Sequence, residues 1–139
     1  MTSRICLHAA VVVTATLGFA ACGGSSSPTQ PTSLSRTETF TGTFEPGGGV
    51  VHAFASDAGN ALSTITAVNP ADAVFGYSLG VWDGTTCTAR IFTDTAKQGA
   101  VYLAYLDSAG NYCVRVYDVS GTVDSVTYTV TVQHPAPAS

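Results

Sequence analysis

The chain has 139 residues, of which only 10% are charged, with five basic against nine acidic side chains and a formal net charge of −4. That length leaves room for one small domain once a leader is set aside, and that balance excludes the basic stripes needed to neutralise nucleic-acid phosphates. Three histidines in the whole chain leave little with which to build a nucleophile, a base and an orienting group.

Residues 1–4 form a short basic start, residues 5–21 are almost wholly apolar or small, and Phe19, Ala20 and Ala21 lead into Cys22. This layout resembles a bacterial lipoprotein signal. The resemblance implies cleavage of a signal peptide over 1–21, acylation (palmitate or similar) of the Cys22 thiol, and a mature N-terminus held to a membrane of the cell envelope by lipid. Two or three acyl chains at about 0.8 kcal/mol per buried methylene make such an attachment effectively permanent. Gly23, where an Asp would imply retention at the inner membrane, favours the outer membrane or cell surface and leaves a periplasm-facing address open. The same residues also fit an ordinary cleaved secretory signal read around Gly18, Phe19 and Ala20. A permanent span needs about 20 apolar residues, and the run 5–21 is shorter and carries His8. Loss of Arg4 with the leader leaves four basic against nine acidic groups, a net of −5.

Residues 22–35 continue as the lipidated cysteine followed by Gly, Ser, Pro and Thr, which cannot bury enough apolar surface to offset the entropy of ordering them. They are expected to act as a flexible tether of roughly 20 Å. The domain is expected over 36–134, with 135–139 a disordered tail whose prolines stop any ladder near Gln133.

Within 36–134 the composition is rich in Thr, Val and Tyr, no helical period occurs, and Gly, Asp and Asn turns separate short runs, so the segments read as strands. In chain order they are 37–44, with Phe40 and Phe44 on one face; 50–56; 61–68, stopped by Asn69 and Pro70; and 74–82, with Phe75, Tyr77, Leu79 and Val81 on one face and Gly76, Ser78, Gly80 and Trp82 on the other. Then come 87–92, 100–106, 112–119 and 126–132, the last placing Val126, Tyr128, Val130 and Val132 inward and Thr127, Thr129 and Thr131 outward. The alternation slips between Leu62 and Ile65, where a bulge is expected. Seven or eight short strands at this spacing predict an all-β, antiparallel β-sandwich of jelly-roll type.

The Phe40-Thr-Gly42 strand, the His52-x-Phe54 strand, the run 78–81 (Ser-Leu-Gly-Val), the run 109–116 (Ala-Gly-Asn-Tyr-Cys-Val-Arg-Val) and the closing 128–130 together resemble the bacterial pre-peptidase C-terminal (PPC) domain. The resemblance covers most of 36–134 and rests on core pattern and turn placement. It implies a jelly-roll-like sandwich of the kind appended to exported enzymes, some relatives of which bind polymers such as collagen or chitin. No catalytic domain precedes the module in this sequence.

Cys6 leaves with the leader and Cys22 is the acylation site, so Cys87 and Cys113 remain as a pair in an oxidising compartment and are expected to be bonded to each other. Two buried free thiols are the alternative. Cys113 falls on the opposite face of its strand from Tyr112, Val114 and Val116, which puts the bridge outside the main core. No zinc site is expected, because His52 and His134 lack partners at ligand spacing. His52 reads as a packing residue and His134 as part of the fraying tail.

Aspartates fall at strand ends and loops, and Asp83, Asp107 and Asp118 are the calcium candidates; aspartate is also an ordinary turn residue, and no Asp-x-Asp-x-Asp run occurs. Trp82, the only tryptophan, could form a stacking platform with Tyr102 or Tyr117, or cover the disulfide. The sequence therefore predicts a non-catalytic binding or adhesion module with no cofactor, contacting a polysaccharide or an envelope protein and not nucleic acid. An accessory that docks a separate secreted enzyme is the second reading and a hydrolase the third.

Overall fold

Short runs of Thr, Val, Tyr and Phe between glycine and aspartate turns become strands in the computed structural model, which describes residues 34–119, 121 and 124–138. The leader, Cys22 and the tether as far as residue 33 lie outside the described residues. The strands are β1 (Ser35–Phe44), β2 (Gly49–Ser56), β3 (Gly59–Asn69), β4 (Phe75–Trp82), β5 (Cys87–Ala96), β6 (Val101–Leu106), β7 (Gly110–Tyr117) and β8 (Val126–Pro135).

They form two four-stranded sheets, sheet A in the order β1-β8-β3-β6 and sheet B in the order β2-β7-β4-β5. Every pairing is antiparallel. This strand order is that of an eight-stranded jelly roll.

The core lies between the sheets, where Phe44, Ile65, Phe75, Tyr77, Leu79, Leu106, Val114, Val116, Val126, Val130 and Val132 are fully buried. Each such side chain stabilises the fold by roughly 1.5–3 kcal/mol relative to exposure. The alternation of β8 holds as expected, valines and Tyr128 inward and threonines toward solvent. The bulge falls one step later than expected, between Ile65 and Ala67. Ala61, Ser63 and Ile65 face inward in unbroken alternation, and Leu62 points to solvent, so the small Ser63 rather than Leu62 is the core residue.

β4 is buried on both faces from Phe75 to Gly80, because neighbours lie directly on its glycines. The Tyr117 ring covers Gly76, where a Cβ would fall 2.2 Å from it, and the backbone of Thr88 and Ala89 crosses Gly80, where a Cβ would fall 1.9 Å from the Thr88 carbonyl oxygen. The register of β4 against β5 shifts at this point. The start of β5 thus folds over the outer face of β4 toward β7, and Cys87 meets Cys113 with Cα atoms 5.8 Å apart. The disulfide joins an edge strand to a strand two places away, outside the aromatic core as expected, although Cys113 itself is wholly covered.

Several boundaries are corrected, β7 lying at Gly110–Tyr117 rather than 112–119. β5 runs on to Ala96 rather than stopping at Phe92. β8 runs through His134 to Pro135, and Ser35, assigned to the tether from sequence, pairs with Pro135 as the first residue of β1. A proline can end this ladder because its carbonyl still accepts, here from the Ser56 hydroxyl at 3.1 Å and the Asp57 N–H at 3.4 Å. The Ala136 N–H then donates to the Leu34 carbonyl.

Candidate contact surfaces

His134 is not part of a fraying tail. Its ring is buried against Phe54 at 4.8 Å, Nδ1 lies 2.9 Å from the Pro135 carbonyl, and Nε2 lies 3.8 Å from Glu38 Oε1. His52 belongs to the seam where β1 meets β2. It stacks on Phe40 at 4.9 Å, and its Nε2 shares a 2.8 Å hydrogen bond with the Tyr128 hydroxyl. Partial burial lowers the His52 pKa and pushes the Tyr128 phenol up to about 12. A neutral imidazole bonded to a phenol and flanked by Phe40 is a packing arrangement. A general base requires a substrate-facing proton acceptor, and this Nε2 is already engaged.

The aromatic platform expected around Trp82 is not assembled. Tyr102 faces inward and stacks on Tyr77 at 4.9 Å. Tyr117 does lie on the outer face of sheet B, with the Arg115 guanidinium 4.8 Å above its ring and its hydroxyl donating to Asp94 Oδ1 at 2.8 Å. It pairs with Gly76, six residues along β4 from Trp82, which is roughly 20 Å at strand rise. Burial and the bond to Asp94 raise the Tyr117 pKa. Trp82 itself is half-buried and borders a shallow hollow of about 440 Å³ with Ala53, Phe54, Ala55, Asp83, Gly84 and Asn111.

The three aspartates singled out for calcium also stand apart. Asp83 Oδ1 accepts from the N–H groups of Thr85 at 2.8 Å and Thr86 at 2.6 Å, and these bonds hold its carboxyl below the usual range. Asp107 is paired with Arg90, and Asp118 Oδ2 accepts from the Gly47 N–H at 2.8 Å. They serve as turn caps and links, and no cluster of three potential metal ligands occurs among the described residues.

The outer face of sheet A divides into two chemically different halves. Over β1 and β8 it is a threonine ladder, in which Thr39, Thr41 and Thr43 pair with Thr131, Thr129 and Thr127. Over β3 and β6 it is apolar: Leu62 is 38% exposed, Val101 56%, Leu103 62% and Tyr105 64%. Leu62 pairs with Leu103, so these side chains form one patch rather than scattered singles. A hollow of about 520 Å³ adjoins it, lined among others by Leu62, Leu103, Gly59 and Pro135. The signal was present in the sequence: the outward positions of 101–106 carry Val, Leu and Tyr, where those of 126–132 carry threonine.

The fold and surface define a small jelly-roll β-sandwich with an apolar outer face at one edge. No family model matches the chain, and no curated protein matches it. Among solved structures it is similar to PliG of Aeromonas hydrophila, a periplasmic lysozyme inhibitor of g-type lysozyme, at 16% identity and a TM-score of 0.52 over 69% of this chain and 83% of that one. It is likewise similar to the Yersinia pseudotuberculosis-derived mitogen, at 16% identity and a TM-score of 0.53 over 76% and 92%. These likenesses concern the fold.

Proposed function

We propose that the chain is a lipid-anchored, non-catalytic binding module of the cell envelope, and that its contact surface for an envelope protein is the outer face of sheet A over β3 and β6. The exposed patch of Leu62, Val101, Leu103 and Tyr105 carries this reading, since contiguous apolar surface on an exported domain marks interaction sites. The jelly-roll neighbours include an inhibitor that acts on another protein, which supports a protein partner over a polysaccharide. The lipoprotein-like leader and Cys22 support the anchored address, and the PPC-like pattern supports an exported module that works beside enzymes without being one.

The test compares Leu62→Ser/Leu103→Ser with Trp82→Ala in the full chain, solubilised from membranes. The proposal expects co-purification of a stoichiometric envelope protein to be lost in the first variant and kept in the second. Binding to cell-wall polysaccharide that disappears with Trp82→Ala in a folded protein would transfer the function to the Trp82 hollow. Mass spectrometry of the mature N-terminus tests the anchor, and an unacylated start past Cys22 would refute it.

A further inference from the structure

Four strands lie at sheet edges, and three of them are obstructed. β1 and β2 close against each other along the seam of Phe40 and His52. β5 is irregular at two points of its pairing with β4 and carries Arg90 and Asp94. β6 has none of these protections: Val101–Leu106 is free of charge, proline and bulge, and its far side pairs with no strand among the described residues. Exported proteins ordinarily blunt such an edge.

The open groups on that edge can be assigned. The Ile65 N–H donates to the Ala100 carbonyl at 2.9 Å, while the Ala100 N–H is taken by the Lys97 carbonyl of the preceding turn, so the carbonyl of residue 100, and by alternation both polar groups of 102, 104 and 106, turn toward β3. The N–H and C=O groups of Val101, Leu103 and Tyr105 therefore face outward along the edge. These are also the three residues whose side chains stand exposed on the outer face.

We propose that β6 pairs antiparallel with β6 of a second copy about a two-fold axis through Leu103, joining two A sheets into one. In that register Leu103 opposes Leu103 and Val101 opposes Tyr105 of the other copy. Every open donor meets an open acceptor, outer faces continue outer faces, and Tyr102 opposes Ala104 on the inner side. The arrangement is isologous and closed. The register brings no like charges together within the paired segment, because Val101–Leu106 carries none, so an acidic domain meets its copy along an uncharged strand. The outer apolar patch stays open and is doubled across the axis, so the contact surface proposed above becomes a floor supplied by two chains. This inference extends that reading, and self-pairing stands or falls independently of what the face captures.

Single cysteines in the full chain, oxidised mildly in membranes and read on non-reducing gels, test the register. Opposed residues in a hydrogen-bonded pair have Cα atoms about 5.5 Å apart, within disulfide reach. Leu103→Cys should give a covalent dimer. Val101→Cys alone should give no more than the wild-type background, while a mixture of Val101→Cys and Tyr105→Cys chains should cross-link, and Phe92→Cys, exposed on β5, should not. Cross-linking of Leu103→Cys no greater than that of Phe92→Cys, or cross-linking of Val101→Cys alone as strong as in the mixture, would overturn the pairing. Partner capture by the unaltered chain is a separate measurement, so loss of one result does not decide the other.

Discussion

Gly80 is the position where one added methyl group should disturb the most structure. Its φ is ordinary, so the need for glycine comes from approach and not from conformation: a Cβ would fall 1.9 Å from the Thr88 carbonyl oxygen and 2.7 Å from the Ala89 Cα. Those atoms are backbone and cannot rotate away, so Gly80→Ala must push the start of β5 outward. Overpacking of this kind costs about 1–3 kcal/mol, and rigid neighbours place it at the upper end. The displacement also carries Cys87 away from Cys113, whose Cα atoms are 5.8 Å apart in a window that closes near 7 Å. The bridge spans a sequence separation of 26, for which chain entropy gives about 3.5 kcal/mol. Losing both effects costs about 6 kcal/mol, comparable to the whole stability of a small domain. Urea unfolding of wild type, Gly80→Ala, Cys87→Ala/Cys113→Ala and the triple variant separates the two contributions, with thiol titration under denaturant to count free cysteines. Gly110→Ala, whose added Cβ would meet nothing within 4 Å, is the control. A Gly80→Ala chain with its bridge intact and stability within about 0.5 kcal/mol of wild type would refute the argument.

Tyr77 and Ser63 are both buried, their hydroxyls approach each other without forming a well-aligned hydrogen bond to any group among the described residues, and burial is the main cause that drives the Tyr77 pKa upward. Tyr77→Phe should therefore be neutral or stabilising, and a loss above about 1.5 kcal/mol in thermal or urea unfolding would contradict this. His52 has its pKa lowered by burial, so the unfolded chain binds more protons in that range. Its contribution is complete above the unfolded value of about 6.5 and is lost as pH falls through the lowered folded value. Melting temperatures between pH 7.5 and 5 should fall less steeply in His52→Gln than in wild type, and identical slopes would rule out this role.

Strands and inward faces were readable wherever alternation was undisturbed, as in Val126 to Val132, because a period of two is set by the pleat itself. The disulfide was readable because only two cysteines, Cys87 and Cys113, fall within the expected domain 36–134. The platform around Trp82 misled because strand alternation gives a face but not a distance: Tyr117 shares the face of Trp82 yet lies at the other end of β4, and Tyr102 turns its ring onto Tyr77. His134 was misplaced because the proline after it reads as a stop, whereas the pairing of Ser35 with Pro135 depends on a strand a hundred positions earlier. The apolar edge at β6 needed the sheet order, since a hydrophobic alternation reads the same in a central strand.

Opposed residues in an antiparallel pair lie about 5 Å apart, so the match of Ser35 with Pro135 places the first and last strand residues of the sandwich side by side at one pole. A few glycines could splice the two, and the backbone could be reopened at the exposed turn around Gly47, giving a circular permutant with the same jelly roll. Cargo joined directly at Ser35 or Pro135 would crowd the pole that carries Trp82 and leave the opposite turns clear.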